Sequence, residues 1–391
     1  MKKIISLILL ISILLISGLP SIAENGEKSR AENIISSNLD LGNDAFSVFL
    51  CEAKTGKVLY SNNEFEKASP ASVTKVMTLL LVMEALDKGK FSLDEKVSIS
   101  ARAASMGGSQ VFLEEGEKIS VEELIKSAVI ASGNDASVAL AELTAGSEGA
   151  FVKLMNQRAN ELGLKNTNFE NSTGLDDTTT NHYTCAADIA KMSRELIKHE
   201  LILQYSSLWQ DTIRNGEFTL TNTNRLVRYY EGCNGLKTGS TDKAGYCISA
   251  TAKRENMQLI AVVMGAESRD ERNSIARELL DYGFANYGLY ECAESYVEDA
   301  KVLGGTSDKI TLYSLPFTSV IDKTALNNVE LIYEIPETVI APIEKGQTVG
   351  RVVYKLAGEQ IGYSDIVAGE AVARIKYGEI IIRMLKRMIA G

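Results

Sequence analysis

The chain of 391 residues is 45% hydrophobic and 24% charged, an ordinary globular composition, and is long enough for two domains or one large domain with an appendage. Its 51 acidic and 41 basic residues leave a formal charge of −10, without the concentrated positive charge that phosphate binding needs, so no nucleic-acid partner is expected. Five cysteines with no Cys-x-x-Cys pair argue against a disulfide framework and a zinc site, two histidines leave little material for a Ser-His-Asp triad, and no metal or cofactor is expected.

At the start of the chain, Lys2 and Lys3 precede an apolar run from Ile4 to Ile16, followed by Gly18, Pro20 and the small-residue pattern Ser21-Ile22-Ala23. This reads as a secretory signal over residues 1–23, cut after Ala23, because the run falls short of the roughly 20 apolar residues a membrane span requires. After a polar stretch, alternation in "AFSVFLCEA" and "KVLYS" around "KTG" predicts a β-hairpin. Helical periodicity follows over Ser69 to Lys88, over "VEELIKSAVIASGNDASVALAEL" and over "EGAFVKLMNQRANELGL".

From Phe218 the period changes. The segments "EFTLTNTN", "GLKTGST", "GYCISATAKR" and "QLIAVVMG" predict short strands, and "RDERNSIARELLDYGFANY" a closing helix. Helices, a block of sequential strands and a final helix imply an α+β body, an antiparallel sheet with packed helices and an all-helical subregion, over residues 24–290. Prolines at 316, 336 and 342 and the alternating segments "KITLYSL", "VELIYEI" and "TVGRVVYKL" predict a small β-rich domain over 291–368.

The last segment, 369–391, ends in "RIKYGEIIIRMLKRMIAG". On a helical wheel Ile375, Tyr377, Ile380, Ile381, Ile382, Met384, Leu385, Met388 and Ile389 fall on one side, and Lys376, Glu379, Arg383, Lys386 and Arg387 on the other. A basic amphipathic helix at the end of an acidic chain suits a membrane surface, its apolar face in acyl chains and its cations near anionic headgroups. With the signal, it places the protein outside the cell's cytoplasm, peripheral on the outer face of the cytoplasmic membrane.

The chemistry is carried by three fragments. Lys75 interrupts the apolar helix face formed by Val73, Val76, Met77, Leu79 and Leu80, three residues after Ser72. That spacing brings hydroxyl and amine within hydrogen-bond range, and burial lowers a lysine pKa far enough for the amine to act as a base toward serine. Read alone, Ser-x-x-Lys is an exposed serine and an exposed lysine. The turn at Ser132, Gly133 and Asn134 breaks a helical run and aims a hydroxyl and a carboxamide sideways. "LKTGST" then sets Lys237, Thr238 and Gly239 on a strand, the glycine allowing a substrate backbone to approach closely. In the order Ser-x-x-Lys, Ser-Gly-Asn, Lys-Thr-Gly, these match motifs of class A β-lactamases and penicillin-binding proteins.

The chain resembles the serine D-alanyl-D-alanine carboxypeptidases, low-molecular-mass penicillin-binding proteins, over nearly its whole length. The likeness runs through the signal, "TGKVLYSNNEFEKASPASVTKVMT", "STGLDDTTTNHYT", the β domain and the terminal helix. The surroundings of "STGLD" and "KTG" resemble the sporulation-associated branch. The resemblance implies a β-lactamase/DD-peptidase-like fold and a peptidoglycan stem peptide ending in D-Ala-D-Ala as substrate, with β-lactams as covalent inhibitors. It implies that Ser72 attacks the carbonyl between the two D-alanines, Lys75 takes its proton, Ser132 relays a proton to the leaving amine and Asn134 bonds the peptide backbone. Lys237 adds positive charge beside Lys75, the backbone N–H groups of Ser72 and Ser240 form an oxyanion hole, and Thr238 and Arg272 hold the terminal carboxylate. His182, in "TNHYT", is read as structural or substrate-adjacent. The rival readings are a serine β-lactamase, although no Glu-x-x-Leu-Asn string is present, and a catalytically silent cell-wall binding protein.

Overall fold

The computed structural model describes residues 41, 44–177 and 179–390. The signal expected over 1–23 lies outside the described residues. The predicted hairpin forms β1 (Ser47–Glu52) and β2 (Val58–Asn62). The three consecutive strands predicted after residue 232 form β3 (Cys233–Thr241), β4 (Gly245–Arg254) and β5 (Met257–Ala266). Together they make one five-stranded antiparallel sheet in the order β2-β1-β5-β4-β3, which leaves β3 at an edge.

Alternation along these strands supplies two cores, because successive side chains leave a strand on opposite faces. Phe49, Cys51, Leu236, Ile260 and Val262 face a helical layer that includes α1 (Lys75–Asp87), α2 (Val121–Val129), α3 (Asn134–Ala145), α4 (Glu148–Glu161) and α5 (Ala186–Leu196). Val48, Leu50, Ile248, Leu259 and Val263 face α6 (Arg269–Asn286) through Ile275, Ala276, Leu279 and Leu280. Helix α1 runs through the middle of the helical layer: every residue from Lys75 to Met83 is buried, so it has no solvent face.

The helix expected to start at Ser69 departs from α geometry at its beginning. Residues Ala71–Thr74 form a 3₁₀ turn that runs into α1. The single helical run expected over "VEELIKSAVIASGNDASVALAEL" is divided at Ser132, whose φ of 64° lies in the left-handed region, so that α2 ends and α3 begins at Asn134.

Beyond α6 the chain is mainly strand until its last helix, with one 3₁₀ turn at Lys323–Asn328. Strand β6 (Tyr287–Cys292) pairs with Phe317–Asp322, and a six-stranded sheet is drawn from strands between Ser295 and Ala368 around Ile310, Leu312, Val352, Tyr354 and Ile366. Phe317 stacks on Tyr354 with ring centroids 3.9 Å apart. The terminal helix α7 (Tyr377–Ala390) leaves Ile381, Met384, Leu385, Met388 and Ile389 largely in solvent. Arg383, expected on its outer polar side, instead turns inward to Asp308 Oδ1 (2.7 Å) and the Thr306 carbonyl (2.7 Å). No helix among the described residues is long and apolar enough to cross a membrane. All five cysteines are free thiols, four of them buried, as small apolar residues are.

Helix α2 ends just before the Ser132 turn, so its anchoring matters to the site. Its start is a capping box: Ser120 Oγ accepts the Glu123 N–H, and Glu123 accepts the Ser120 amide and hydroxyl as well as the Arg214 N–H at 2.8 Å. Burial pushes the Glu123 carboxyl up, but the hydrogen bonds from Ser120 and Arg214 outweigh it and hold the pKa at about 2. The folded value lies below the unfolded one, so this stabilisation is present above the ordinary carboxylate range and is lost as pH falls toward 2. Glu123→Gln should lower unfolding free energy by about 1–2 kcal/mol at neutral pH, with the gap to the parent protein closing on acidification. Denaturant melts at several pH values check this, and a gap independent of pH would contradict it.

Candidate active site

The 3₁₀ turn explains how Ser72 and Lys75 meet, because side chains at i and i+3 eclipse in that geometry. Lys75 Nζ donates to Ser72 Oγ at 2.9 Å. It donates also to Asn134 Oδ1 at 2.7 Å and to the Thr173 carbonyl at 2.9 Å. Lys75 is fully buried, while Ser72 keeps partial access to solvent. Burial, then the charge of Lys237, holds the Lys75 amine well below the usual lysine range, against a smaller opposing pull from Asp135.

The second lysine is placed by β3. Lys237 Nζ donates to Ser132 Oγ at 2.8 Å and to the Thr238 carbonyl at 2.7 Å. Burial, and then the Arg272 guanidinium, lowers its pKa to about 7. Thr238 Oγ1 donates to Thr223 Oγ1 at 2.7 Å, and Ser240, two residues on, is exposed. Ser72, Lys75, Ser132, Asn134, Lys237 and Thr238 are thus drawn together from the 3₁₀ turn, α1, the turn at Ser132, α3 and β3.

Arg272 arrives from α6 beneath the sheet. Its guanidinium bonds Asn273 Oδ1 at 2.9 Å and the carbonyl of Cys247, the residue registered opposite Gly239 on β4, at 3.4 Å. It is buried, and among the described residues it has no carboxylate partner. Burial, helped by Arg269, depresses it to about 10. The pairing with Glu271 or Glu278 that an ordinary helix arginine would make is not formed. Glu271 closes the helix cap with Ser268, and Glu278 accepts from Ser274.

Two expectations change in detail. A Cβ on Gly239 would lie 2.7 Å from the Ser72 amide nitrogen and 2.9 Å from the Pro70 carbonyl, so this glycine makes room for the turn that carries Ser72, a task its expected place beside a substrate did not include. Asn134 is buried with Oδ1 taken by Lys75 and Nδ2 donating to the Gly107 carbonyl at 2.7 Å, which leaves one amide hydrogen for a peptide. His182 is structural: Nδ1 accepts the Glu170 N–H at 3.0 Å, so Nε2 donates to Thr74 Oγ1 at 2.8 Å, and burial holds the ring neutral with a pKa of about 4.

Several contributors carry no side-chain signature. The Thr173 carbonyl that holds Lys75 is presented by a loop in which Asn171 Oδ1 accepts from Gly174, and a Cβ on Gly174 would lie 1.8 Å from the Ala71 carbonyl. Asp176, in the same loop, accepts from Ser69 Oγ at 2.8 Å and from Thr241 Oγ1, tying the approach to the nucleophile to the end of β3.

A profile of the D-alanyl-D-alanine carboxypeptidase family matches residues 35–268, more than half of the chain. The chain belongs to the D-alanyl-D-alanine carboxypeptidase family. A second profile, that of the penicillin-binding protein 5 C-terminal domain, matches residues 288–374. D-alanyl-D-alanine carboxypeptidase DacF of Bacillus subtilis is 44% identical over 395 residues, which cover 99% of this chain and 98% of that relative. Penicillin-binding protein 5 from Haemophilus influenzae has a similar structure, with a TM-score of 0.76 at 32% identity, covering 86% of this chain and 99% of that one. Penicillin-binding protein D2 from Listeria monocytogenes, in an ampicillin-bound form, has a TM-score of 0.58 at 31% identity and covers 63% of this chain and 99% of that one.

The three buried cations form an electrostatic series, Arg272 acting on Lys237 and Lys237 on Lys75. Neutralising the first should relax the second. In Arg272→Gln the Lys237 titration should move up by about one unit, since a charge that lowered it is gone. Carbon-13 NMR of labelled lysine side chains measures this as the coupled titration of the pair. An unmoved midpoint would show that Arg272 does not act on Lys237.

Proposed function

We propose that the chain is a serine-type D-Ala-D-Ala carboxypeptidase that removes the terminal D-alanine of peptidoglycan stem peptides through an acyl-enzyme at Ser72. The observation that carries this reading is the buried Lys75 amine 2.9 Å from Ser72 Oγ, in a chain whose family is established by sequence. A neutral amine at that distance accepts the hydroxyl proton as the oxygen attacks the carbonyl. The backbone N–H groups of Ser72 and Ser240 stabilise the oxyanion, a contribution of roughly 10²- to 10³-fold in rate for one such donor. Ser132, bonded to Lys237, returns a proton to the leaving amine. Arg272 and Thr238 receive the terminal carboxylate: a buried guanidinium without a carboxylate of its own is a site prepared for one. The proton that Lys75 took passes by way of Ser132 to Lys237, which leaves Lys75 neutral again; water then cleaves the ester, Lys75 taking its proton and handing it to Ser72 as the acid is released.

Substrate lies along the open edge of β3, where an extended peptide completes the sheet by main-chain hydrogen bonds. Acylation by β-lactams, which present a carboxylate and a strained carbonyl at similar spacing, follows from the same parts. The order of parts in the mature protein is a catalytic body over 24–290, a β-rich domain over 291–368 and a membrane-docking helix within 369–391. The protein is exported by its signal and rests peripherally on the outer face of the membrane.

Replacing Lys75 by methionine keeps its length and removes the base. D-Alanine release from an N-acyl-D-Ala-D-Ala peptide should fall by about 10²- to 10⁴-fold. The Ser72→Ala protein should form no adduct with a fluorescent penicillin. A Lys75→Met protein as fast as the parent would refute the mechanism, and rapid drug turnover would favour a β-lactamase.

The exposed apolar face of α7 supports the membrane placement, and Lys386 is among its cations. Removing residues 377–391 should abolish co-sedimentation with vesicles containing anionic lipid and leave D-alanine release intact. Equal sedimentation of the two forms would rule the anchor out.

A further inference from the structure

A cleft of about 570 Å³ lies beside the site and takes no part in the mechanism above. Its walls come from the segment leading to the nucleophile, through Lys67 and Ser69, from the loop carrying Thr180 and Tyr183, and from the β3–β4 turn, through Lys243. Phe46, 46% exposed, supplies an apolar wall. Lys67 Nζ stands 4.6 Å from the centroid of the Tyr183 ring. Neither Lys67 nor Lys243 has a carboxylate partner among the described residues, although the chain as a whole carries ten more acids than bases. Two carboxylates of the adjoining loop are already engaged. Asp176 accepts from Ser69 and Thr241, and Glu170 accepts the Thr180 and Asn181 amides.

The position of the cleft follows from the direction of the bound peptide, so the inference rests on the reading of Thr238, Arg272 and Ser240 given above. If the terminal carboxylate sits by Thr238 and the scissile carbonyl by Ser240, the chain of the substrate continues toward Thr241 and the turn bearing Lys243. One strand residue advances about 3.3 Å, so the mouth of the cleft is reached roughly two or three residues upstream of the scissile bond. We infer that this cleft is a subsite for an acidic residue of the acyl-donor peptide, its carboxylate received by Lys67 and Lys243 and its carbon stem by Phe46 and Tyr183. The site would select among peptides that share the same D-Ala-D-Ala end, because charge complementarity at a partly exposed rim discriminates between ligands more than it adds affinity.

Two peptides ending in D-Ala-D-Ala, differing only in an upstream glutamate or its isosteric glutamine, provide the test. Their dissociation constants are measured calorimetrically on Ser72→Ala protein, where no turnover intervenes, with and without Lys67→Ala and Lys243→Ala together. The glutamate peptide should bind more tightly, and the double substitution should reduce its advantage about three- to tenfold. Raising the salt concentration should reduce the advantage as well, since rim charges are screened. A preference that the lysine substitutions leave unmoved, or no preference at all, would overturn the subsite. Circular dichroism melts of the substituted protein exclude unfolding as the cause of a loss. Failure of the parent protein to release D-alanine from either peptide would count against the proposed activity, while the calorimetric comparison would still decide the subsite.

Discussion

Taking the ammonium group of a lysine out of water costs several kcal/mol unless its hydrogens find acceptors, and the body of this protein is arranged around one such group. Lys75 is fully buried and has three acceptors, from three parts of the chain: the 3₁₀ turn, the first residue of α3 and the loop at Thr173. None of the three can be lost without leaving part of a buried cation unsatisfied. The amine is therefore held to one position, which is what a base must have to meet a hydroxyl at 2.9 Å. Burial and the charge of Lys237 also weaken its hold on its proton. The strain needed to build the site is local. Ala71, next to Ser72, and Ser132 both take positive φ.

What could be read in the sequence was the side-chain chemistry and the period of the elements. A lysine on an apolar face, a Ser-Gly-Asn break in a helical run and a Lys-Thr-Gly strand are visible as residue types, and β4 and α6 occupy the segments their periodicity indicates. What could not be read was work done by the backbone. The Thr173 carbonyl is a peptide oxygen like any other until the loop is folded, and Gly174 and Gly239 look like turn or substrate glycines until their neighbours are known. The 3₁₀ start of the helix at Ala71 was equally hidden, since a spacing of three suits both helix types. Asp176 stands within "STGLD" with no task visible in the sequence, because its partners Ser69 and Thr241 are 107 and 65 residues away.

The position of β3 at the edge of the sheet ties fold to function. An interior strand has both rows of main-chain groups paired, whereas an edge strand offers one row to a ligand. The Ser72 turn packs on one face of this strand, so closely that a Cβ on Gly239 would lie 2.7 Å from the Ser72 amide nitrogen. On the proposed reading the free edge of β3 receives the peptide, and the turn packed against Gly239 holds Ser72 beside it.

The series of cations from Arg272 through Lys237 to Lys75 also bears on what happens when an anion binds. Arg272 lowers Lys237, and Lys237 lowers Lys75. On the proposed reading, a substrate carboxylate beside Arg272 offsets the first of these effects, and Lys237 then holds its proton more firmly. A charged Lys237 in turn lowers Lys75 further, so on this reading arrival of the substrate favours Lys75 as the acceptor and Lys237, through Ser132, as the supplier of a proton. The residue that recognises the carboxylate and the residue that activates the serine need not touch. Their communication is electrostatic, passes through a low-dielectric interior, and depends on the burial that first marked Lys75 as out of place on an apolar helix.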